Sequence, residues 1–384
     1  MANALVPKKG EHVVLPKNHN TFCNIFDEII KLSNFKHGYS RTQKTNTKYK
    51  QASLNFSDDL IYNLEQLRQE VADGSYKPYG YNIFKVHEPK ERVIAAPKFK
   101  DKIIQFAVHN VINDDFERKF IYDSYACIKG KGTHAAADRI QHFLRKAKWQ
   151  WGNPWIVKAD IRKFFYSIKH KILKQLLDKK IKCKRTLELL FKIIDNSPDD
   201  VGLPEPYYEN EFCIGLPLGN VTSQLFANLY LNELDQYCKR KLSLKYYVRY
   251  MDDMGLVVKT REKAKKIKEK MSQFVIDHLD LRMNKKKTKI FPLAQGVNMV
   301  GYKIWTTHKL LRNSTKKRIK QKLSKFGDML IDGRITKSKV EQILNSWKGH
   351  ADHASSDNFY QYLENRFDYI YRDENDSFKI KEVA

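Results

Sequence analysis

Tyr250-Met251-Asp252-Asp253 stands between Leu244-Lys245-Tyr246-Tyr247-Val248-Arg249 and Met254-Gly255-Leu256-Val257-Val258. Both flanks are rich in β-branched and aromatic residues, which predicts the two strands of a hairpin. The two carboxylates then sit side by side at its tip. Adjacent acids in an apolar stretch are costly unless a cation neutralises them. Mg²⁺ held by a few carboxylates and substrate phosphates is a common solution. The plainer alternative is a turn, where Asp is frequent. A third carboxylate lies upstream, where Trp155-Ile156-Val157-Lys158-Ala159-Asp160 reads as a strand. Its plainer reading is a cap. A strand end and a hairpin tip can together hold two Mg²⁺ ions, about 3.5–4 Å apart in such sites, for nucleotidyl transfer.

Composition agrees. Of the 384 residues, 42% are hydrophobic, enough for one or two domains with a real core. Lys and Arg number 71 against 44 Asp and Glu, a net charge of +27 spread along the whole length. So basic a fold expects a polyanion, nucleic acid first and a membrane surface second. No basic amphipathic anchor adjoins a hydrophobic one, and no apolar run reaches membrane-spanning length. The N-terminal residues lack a signal-peptide core. The expected location is therefore the cytoplasm, with no membrane partner. Cys23, Cys127, Cys183, Cys213 and Cys238 are scattered without a CxxC pair. They read as reduced thiols and argue against structural zinc.

Residues 1–20 are polar, and Phe22, Ile25, Phe26 and Ile29 recur at helical spacing. Residues 36–50 are basic without a periodic pattern. A helix is expected over 57–73, opened by Ser57-Asp58-Asp59 as its N-cap, with Leu60, Ile61, Leu64, Leu67 and Val71 on one face. The basic stretch 84–97 is extended and punctuated by Pro89 and Pro97. Helices are expected over 103–116, 169–177, 221–241 and 261–278, and a Pro- and acid-rich loop over 196–210. Beyond Lys309 the chain is strongly basic and mostly helical. The order is mixed, without internal repeats, so the class is α+β.

Five segments in order resemble reverse transcriptase motifs. Asp160-Ile161-Arg162-Lys163-Phe164-Phe165 is similar to the first palm motif, and Gly215-Leu216-Pro217-Leu218-Gly219-Asn220-Val221-Thr222-Ser223-Gln224 to the second. The hairpin tip is similar to the third, Asn284-Lys285-Lys286-Lys287-Thr288 to the fourth, and Val300-Gly301-Tyr302 to the primer-grip hairpin. Ser124 to His134, with Lys129, Gly130, Lys131 and Gly132, resembles a finger motif; a plain glycine turn is the alternative. The resemblance implies a right-hand polymerase with fingers, a palm of antiparallel sheet with packed helices, and a helical thumb. The implied boundaries are an N-terminal extension at 1–56, fingers at 57–150, palm at 151–305 with an insertion at 183–212, thumb at 306–370 and a tail at 371–384.

The resemblance also implies an RNA-directed DNA polymerase acting on template RNA, an RNA/DNA primer–template duplex and dNTPs. Its metal site comprises Asp160, Ile161, Asp252 and Asp253, for two Mg²⁺ with Mn²⁺ able to substitute. The catalytic set is Asp160, Asp252, Asp253 and Lys287, the last protonating pyrophosphate; Lys285 and Lys286 compete for that role. Arg92, Lys100, Phe165, Leu218, Gly219 and Gln224 are implied to bind nucleotide. Arg92 and Lys100 are preferred among the basic finger residues Lys90, Arg92, Lys98 and Lys100. Phe165 serves as a gate against a ribose 2′-OH, and strand alternation sends it and Phe164 to opposite faces, one of them core. Lys129, Lys131, Tyr250, Gly301, Tyr302, Lys316, Lys317 and Arg318 are implied to bind nucleic acid.

The second motif departs from the Gln-Gly-x-x-x-Ser-Pro form of many reverse transcriptases. Leu218-Gly219-Asn220-Val221-Thr222-Ser223-Gln224, with Gly301 to Arg312 and Ser346-Trp347-Lys348-Gly349-His350-Ala351, resembles the enzymes of diversity-generating retroelements. Such enzymes are bacterial or phage-encoded, err at template adenines, and work with a small basic accessory protein. Leu218 cannot make the hydrogen bond a Gln would make to the nucleotide, worth about 0.5–1.5 kcal/mol. Alternatively Leu218 only packs against the palm. Two other functions compete: an anti-phage defence or retron-type reverse transcriptase, and a catalytically idle RNA-binding protein of polymerase fold.

Overall fold

A computed structural model describes residues 25–44, 46–87, 91–198 and 214–372. In chain order the helices and strands open with α1 (Ile25–Ile29), α2 (Leu32–Thr42), α3 (Gln51–Asp58), α4 (Leu60–Ala72), β1 (Tyr81–Val86), β2 (Arg92–Pro97) and α5 (Phe99–Glu117). They continue with α6 (Thr133–Trp151), β3 (Trp155–Asp160), α7 (Phe164–Ser167), α8 (His170–Asp178), α9 (Lys184–Asp195) and α10 (Ser223–Gln236), which runs on as a π turn over Tyr237–Lys241. Then come β4 (Tyr247–Tyr250), β5 (Asp253–Val258), α11 (Arg261–Leu279), β6 (Lys289–Pro292), β7 (Val297–Met299), β8 (Tyr302–Ile304) and β9 (Lys309–Leu311). Helices α12 (Asn313–Ile331), α13 (Lys337–Ala351) and α14 (Asp357–Arg372) close the described chain. The class is α+β.

The chain forms two units, neither of them contiguous. The first is Met1–Asp115 with Lys169–Ser223, and the second is Phe116–Ile168 with Gln224–Ala384.

In the first unit, β1 and β2 form an antiparallel hairpin, and helices carry the core. Leu64, Leu67 and Val71 give α4 its buried face. Of the N-cap expected at 57–59, Asp59 takes the N-cap position of α4 but makes no side-chain capping bond. Ser57 and Asp58 belong to α3, where Phe56 is buried and Ser57 Oγ donates to the Ser53 carbonyl at 2.7 Å. The region 36–50, without periodicity in sequence, is helical as far as Thr42. The buried side of α2 is Phe35, Gly38 and Thr42, a helical stripe of which only Phe35 is apolar and large. A Cβ on Gly38 would lie 2.9 Å from the Ile103 carbonyl, so the helix packs through a missing side chain.

In the second unit, a four-stranded antiparallel sheet runs in the order β4-β5-β3-β6. Alternation sends Ile156, Val248 and Val257 into the core shared with α6, and α11 packs on β3, β5 and β6. The apolar positions of α11 are Ala264, Ile267, Met271, Phe274 and Val275; all but the half-buried Phe274 are buried, and Thr260 caps the helix by accepting from the Lys263 N–H. Strands β7, β8 and β9 form a second antiparallel sheet. Ile319, Leu323, Val340, Leu344 and Leu363 hold α12, α13 and α14 together. The loop expected over 196–210 falls mostly outside the described residues, as do Lys90 and residues 1–20.

Candidate active site

The hairpin forms, shorter than its sequence suggests. Strand β4 starts at Tyr247, because Leu244 and Tyr246 turn inward as core before the ladder begins. Tyr250 pairs with Asp253, leaving Met251 and Asp252 as a two-residue turn. Met251 is left-handed, with φ of 54°. On the other side of β5, Asp253 pairs with Asp160 at the end of β3. The ladder therefore places the third carboxylate directly opposite the second. The Ile161 N–H reaches the Asp252 carbonyl at 3.3 Å, tying the turn to the end of β3. The Ile161 side chain itself is buried.

Each outer carboxylate faces a lysine. Lys287 Nζ donates to Asp160 Oδ2 at 2.7 Å, and Lys158 Nζ lies 3.3 Å from Asp253 Oδ1. Asp160 Oδ1 is buried without a hydrogen-bond partner, and Asp253 Oδ1 is buried with only the Lys158 ammonium beside it. Burial pushes the Asp253 carboxyl up to about 6; Lys158 pulls it down, and Asp160 and Asp252 push it up further. Burial lowers Lys287, but Asp160, helped by Asp252 and Asp253, outweighs it and holds the ammonium above its ordinary range.

Local turn chemistry selects Lys287 among the three adjacent lysines. Asn284 Oδ1 accepts from the N–H groups of Lys286 and Lys287 at 3.1 and 3.3 Å, and the Asn284 N–H donates to the Asp160 carbonyl at 2.7 Å. This side-chain turn aims Lys287 at Asp160; all three lysines are exposed, and Lys287 is the one whose ammonium meets that carboxylate.

Among the described residues, no three His, Cys, Asp or Glu side chains stand close enough to hold an ion as placed. The donors nevertheless suit a hard cation. Asp160 Oδ1 is buried without a donor, and Asp253 Oδ1, which has only the Lys158 ammonium beside it, lies on the paired residue of the adjacent strand.

Phe164 and Phe165 do not continue the strand. Lys163 is left-handed, with φ of 45°, and turns the chain into α7. Phe164 is buried and Phe165 half-buried, edge-on at 5.6 Å between centroids. One of the pair is core, as expected, though helix geometry separates them.

Two residues implied to meet nucleic acid are engaged inside the second unit. Tyr302 is fully buried; its hydroxyl donates to the His350 carbonyl at 2.9 Å and lies 2.9 Å from His134 Nδ1. Lys131 Nζ donates to the carbonyls of Tyr122 and Ser124 and lies over the Tyr122 and Tyr125 rings. It pins the loop from within. Lys129 is exposed and Tyr250 half-buried. Gly301 turns the β7–β8 hairpin with φ of 90°. Lys317 and Arg318 are exposed on α12, and Lys316 lies over the Phe359 ring at 5.2 Å.

The first unit holds Arg92, Lys100, Leu218 and Gly219; Gln224 is the first residue after it and is exposed. Arg92 is exposed at the start of β2, and Lys100 Nζ lies 4.9 Å from the Tyr79 ring centroid. Leu218 is half-buried. Gly219 has a structural reason: a Cβ there would come within 2.2 Å of the Ala95 carbonyl oxygen. Only glycine lets this turn lie against β2.

Sequence reasoning missed Lys158 and the buried pair Arg249–Asp235. Alternation could have found Lys158, two residues before Asp160 on the same face. Arg249 Nη2 lies 2.7 Å from Asp235 Oδ2, with both side chains inaccessible to solvent. No local pattern announces that contact.

The family described as reverse transcriptase (RNA-dependent DNA polymerase) matches residues 83–304. Protein YkfC of Escherichia coli is 28% identical, over 75% of this chain and 79% of that protein. The group II intron-encoded protein LtrA of Lactococcus lactis is 26% identical, over 68% of this chain and 52% of that protein. The chain thus spans about half the length of LtrA. A telomerase of Candida albicans, solved with a fragment of telomeric RNA, superposes with a TM-score of 0.48 at 14% identity, over 77% of this chain and 55% of that one.

Proposed function

The chain belongs to the reverse transcriptase (RNA-dependent DNA polymerase) family, and on that premise we propose that it makes cDNA from a template RNA by two-metal nucleotidyl transfer. The observation that carries this reading is the pairing of Asp160 with Asp253 beside a turn containing Asp252. Asp160, Asp252 and Asp253, with Ile161, would hold two Mg²⁺ ions, with Mn²⁺ as a substitute. Bound divalent ions lower the pKa of a primer 3′-hydroxyl and neutralise triphosphate charge. Lys287, kept protonated beside Asp160, gives its proton to departing pyrophosphate. Phe165 restricts the space for a ribose 2′-OH. Arg92 and Lys100 bind the incoming triphosphate through charge-assisted bonds. Lys316, Lys317 and Arg318 follow the phosphates of the template–primer duplex, which position without specifying sequence. In this reading 57–150 are fingers, 151–305 palm and 306–370 thumb.

The finer reading is a diversity-generating role: a bacterial or phage-encoded cytoplasmic enzyme, error-prone at template adenines and aided by a small basic accessory protein. It is supported by Leu218, which brings no hydrogen-bonding group to the second motif. The test is primer extension on an RNA template with Mg²⁺ and dNTPs, alongside Asp252→Asn, with the cDNA sequenced. Errors concentrated opposite adenines, and reduced by Leu218→Gln, are the expected result. Extension with uniform, low error would favour a retron-type or defence enzyme, and no extension would favour an idle RNA-binding protein.

A further inference from the structure

We propose that Arg249 and Asp235 form a positioning device that holds the acidic turn in its metal-binding shape. The inference rests on the polymerase reading above. Arg249 Nε donates to both carboxylate oxygens of Asp235 at 2.9 Å, and Tyr247 Oη donates to Asp235 Oδ1 at 2.8 Å. Arg249 Nη1 then donates to Asn228 Oδ1 at 3.0 Å and to the Met251 carbonyl at 3.1 Å. Asn228 is itself fixed, its Nδ2 donating to the Ala126 carbonyl at 2.9 Å. The Arg249 main chain is held too, its N–H by the Asp123 carbonyl at 2.9 Å and its carbonyl by the Tyr125 N–H at 3.0 Å. One guanidinium thus joins a buried anchor to the carbonyl of the left-handed residue just before Asp252.

Stability alone does not explain this arrangement. Apolar residues of similar volume often replace a buried ion pair with no loss of stability. They cannot supply a donor to the Met251 carbonyl. A bulky residue with φ of 54° is disfavoured and persists only where its surroundings over-determine it. If that peptide rotates, Asp252 swings with it, while the β3–β5 ladder keeps Asp253 opposite Asp160.

The test uses the full chain carrying Asp235→Leu, Tyr247→Phe and Arg249→Met together, beside Arg249→Lys alone. Thermal melting, Mn²⁺ binding by electron paramagnetic resonance and primer extension are the readouts. The triple variant is expected to fold and melt cooperatively, with any fall in melting temperature traceable to Asn228 Oδ1 and the Met251 carbonyl, which lose their donor. Its half-saturating Mn²⁺ should rise roughly 10–100-fold, and its kcat should fall roughly 10²-fold. The KM for primer–template should hold. Wild-type Mn²⁺ affinity and kcat in a folded triple variant would make the pair purely structural and overturn the proposal. Should the triple variant fail to fold, Arg249→Lys decides. It keeps the charge but loses the fork, so a folded Lys variant with wild-type Mn²⁺ binding and kcat overturns the proposal equally. A wild-type protein that extends no primer would refute the polymerase reading instead, leaving Mn²⁺ binding to judge the pair.

Discussion

Two buried carboxylate sites, one in each unit, are treated in opposite ways. In the first unit, Asp101 is almost wholly buried and fully satisfied. Its Oδ1 accepts from Tyr76 Oη at 2.7 Å, and its Oδ2 from the N–H groups of Tyr79 and Gly80 at 2.9 and 3.1 Å. In the second unit, Asp160 keeps a buried oxygen with no donor, and the buried Oδ1 of Asp253 has only the Lys158 ammonium, at 3.3 Å. Burial raises both Asp101 and Asp253; backbone and tyrosine donors offset it at Asp101, and the Lys158 ammonium does so at Asp253. The first carboxylate shapes a loop; the second pair is left open for something the chain does not itself provide. Unmet hydrogen bonding, rather than acidity or burial alone, separates the two.

The largest expected contrast is between their amide variants. Asp253→Asn should cost several kcal/mol of transition-state stabilisation, roughly 10³-fold or more in extension rate. Its melting temperature should change little, because the desolvation relieved at Asp253 is set against the ion pair lost to Lys158. A large drop in melting would show that Asp253 is as structural as Asp101. Conversely, Asp101→Ala orphans the Tyr76 hydroxyl and two N–H groups. It should destabilise the fold by about 3–5 kcal/mol in denaturant unfolding. Stability unchanged by that substitution would break the comparison from the other side.

Acid should sharpen the contrast further. Burial, with Arg41 beside it, pushes His109 down to about 4, so the first unit holds a neutral imidazole. The stability this confers is present above about pH 6.5 and is lost as pH falls toward 4. The loss should reach about 3 kcal/mol. Denaturant midpoints across this range should fall for the wild type and stay flatter for His109→Gln. The smallest effect is expected for Gly219→Ala, whose methyl meets the β2 backbone and should cost about 2 kcal/mol through overpacking. Thermal melting of that variant measures it.

The sequence revealed what periodicity encodes. Strand β3, helix α11 and the acidic hairpin were legible because alternation and helical spacing register burial directly. Helix α2 was not, because its buried stripe passes through Gly38 and Thr42, which carry no hydrophobic signal. The three aspartates were legible as a set because their motifs stand in order, while their pairing across β5 needed the ladder. Tyr302 and Lys131 illustrate the limit. An aromatic and a cation in binding-type motifs also serve as internal braces, and only tertiary partners distinguish the two uses. Arg249–Asp235 was invisible for the same reason, since its residues meet only once α10 lies along β4.

The interleaved chain path also bears on biogenesis. Because the first unit needs residues 169–223 and the second needs 224 onward, neither can close while only the first 168 residues have left the ribosome. Apolar side chains of the early segment, among them Ile29, Leu64, Ile103 and Ile104, then wait for α8 and α9 before their unit is whole. A nascent chain in that state is sticky. Its yield in a cell should depend on chaperone supply and on the pace of translation through the middle of the message.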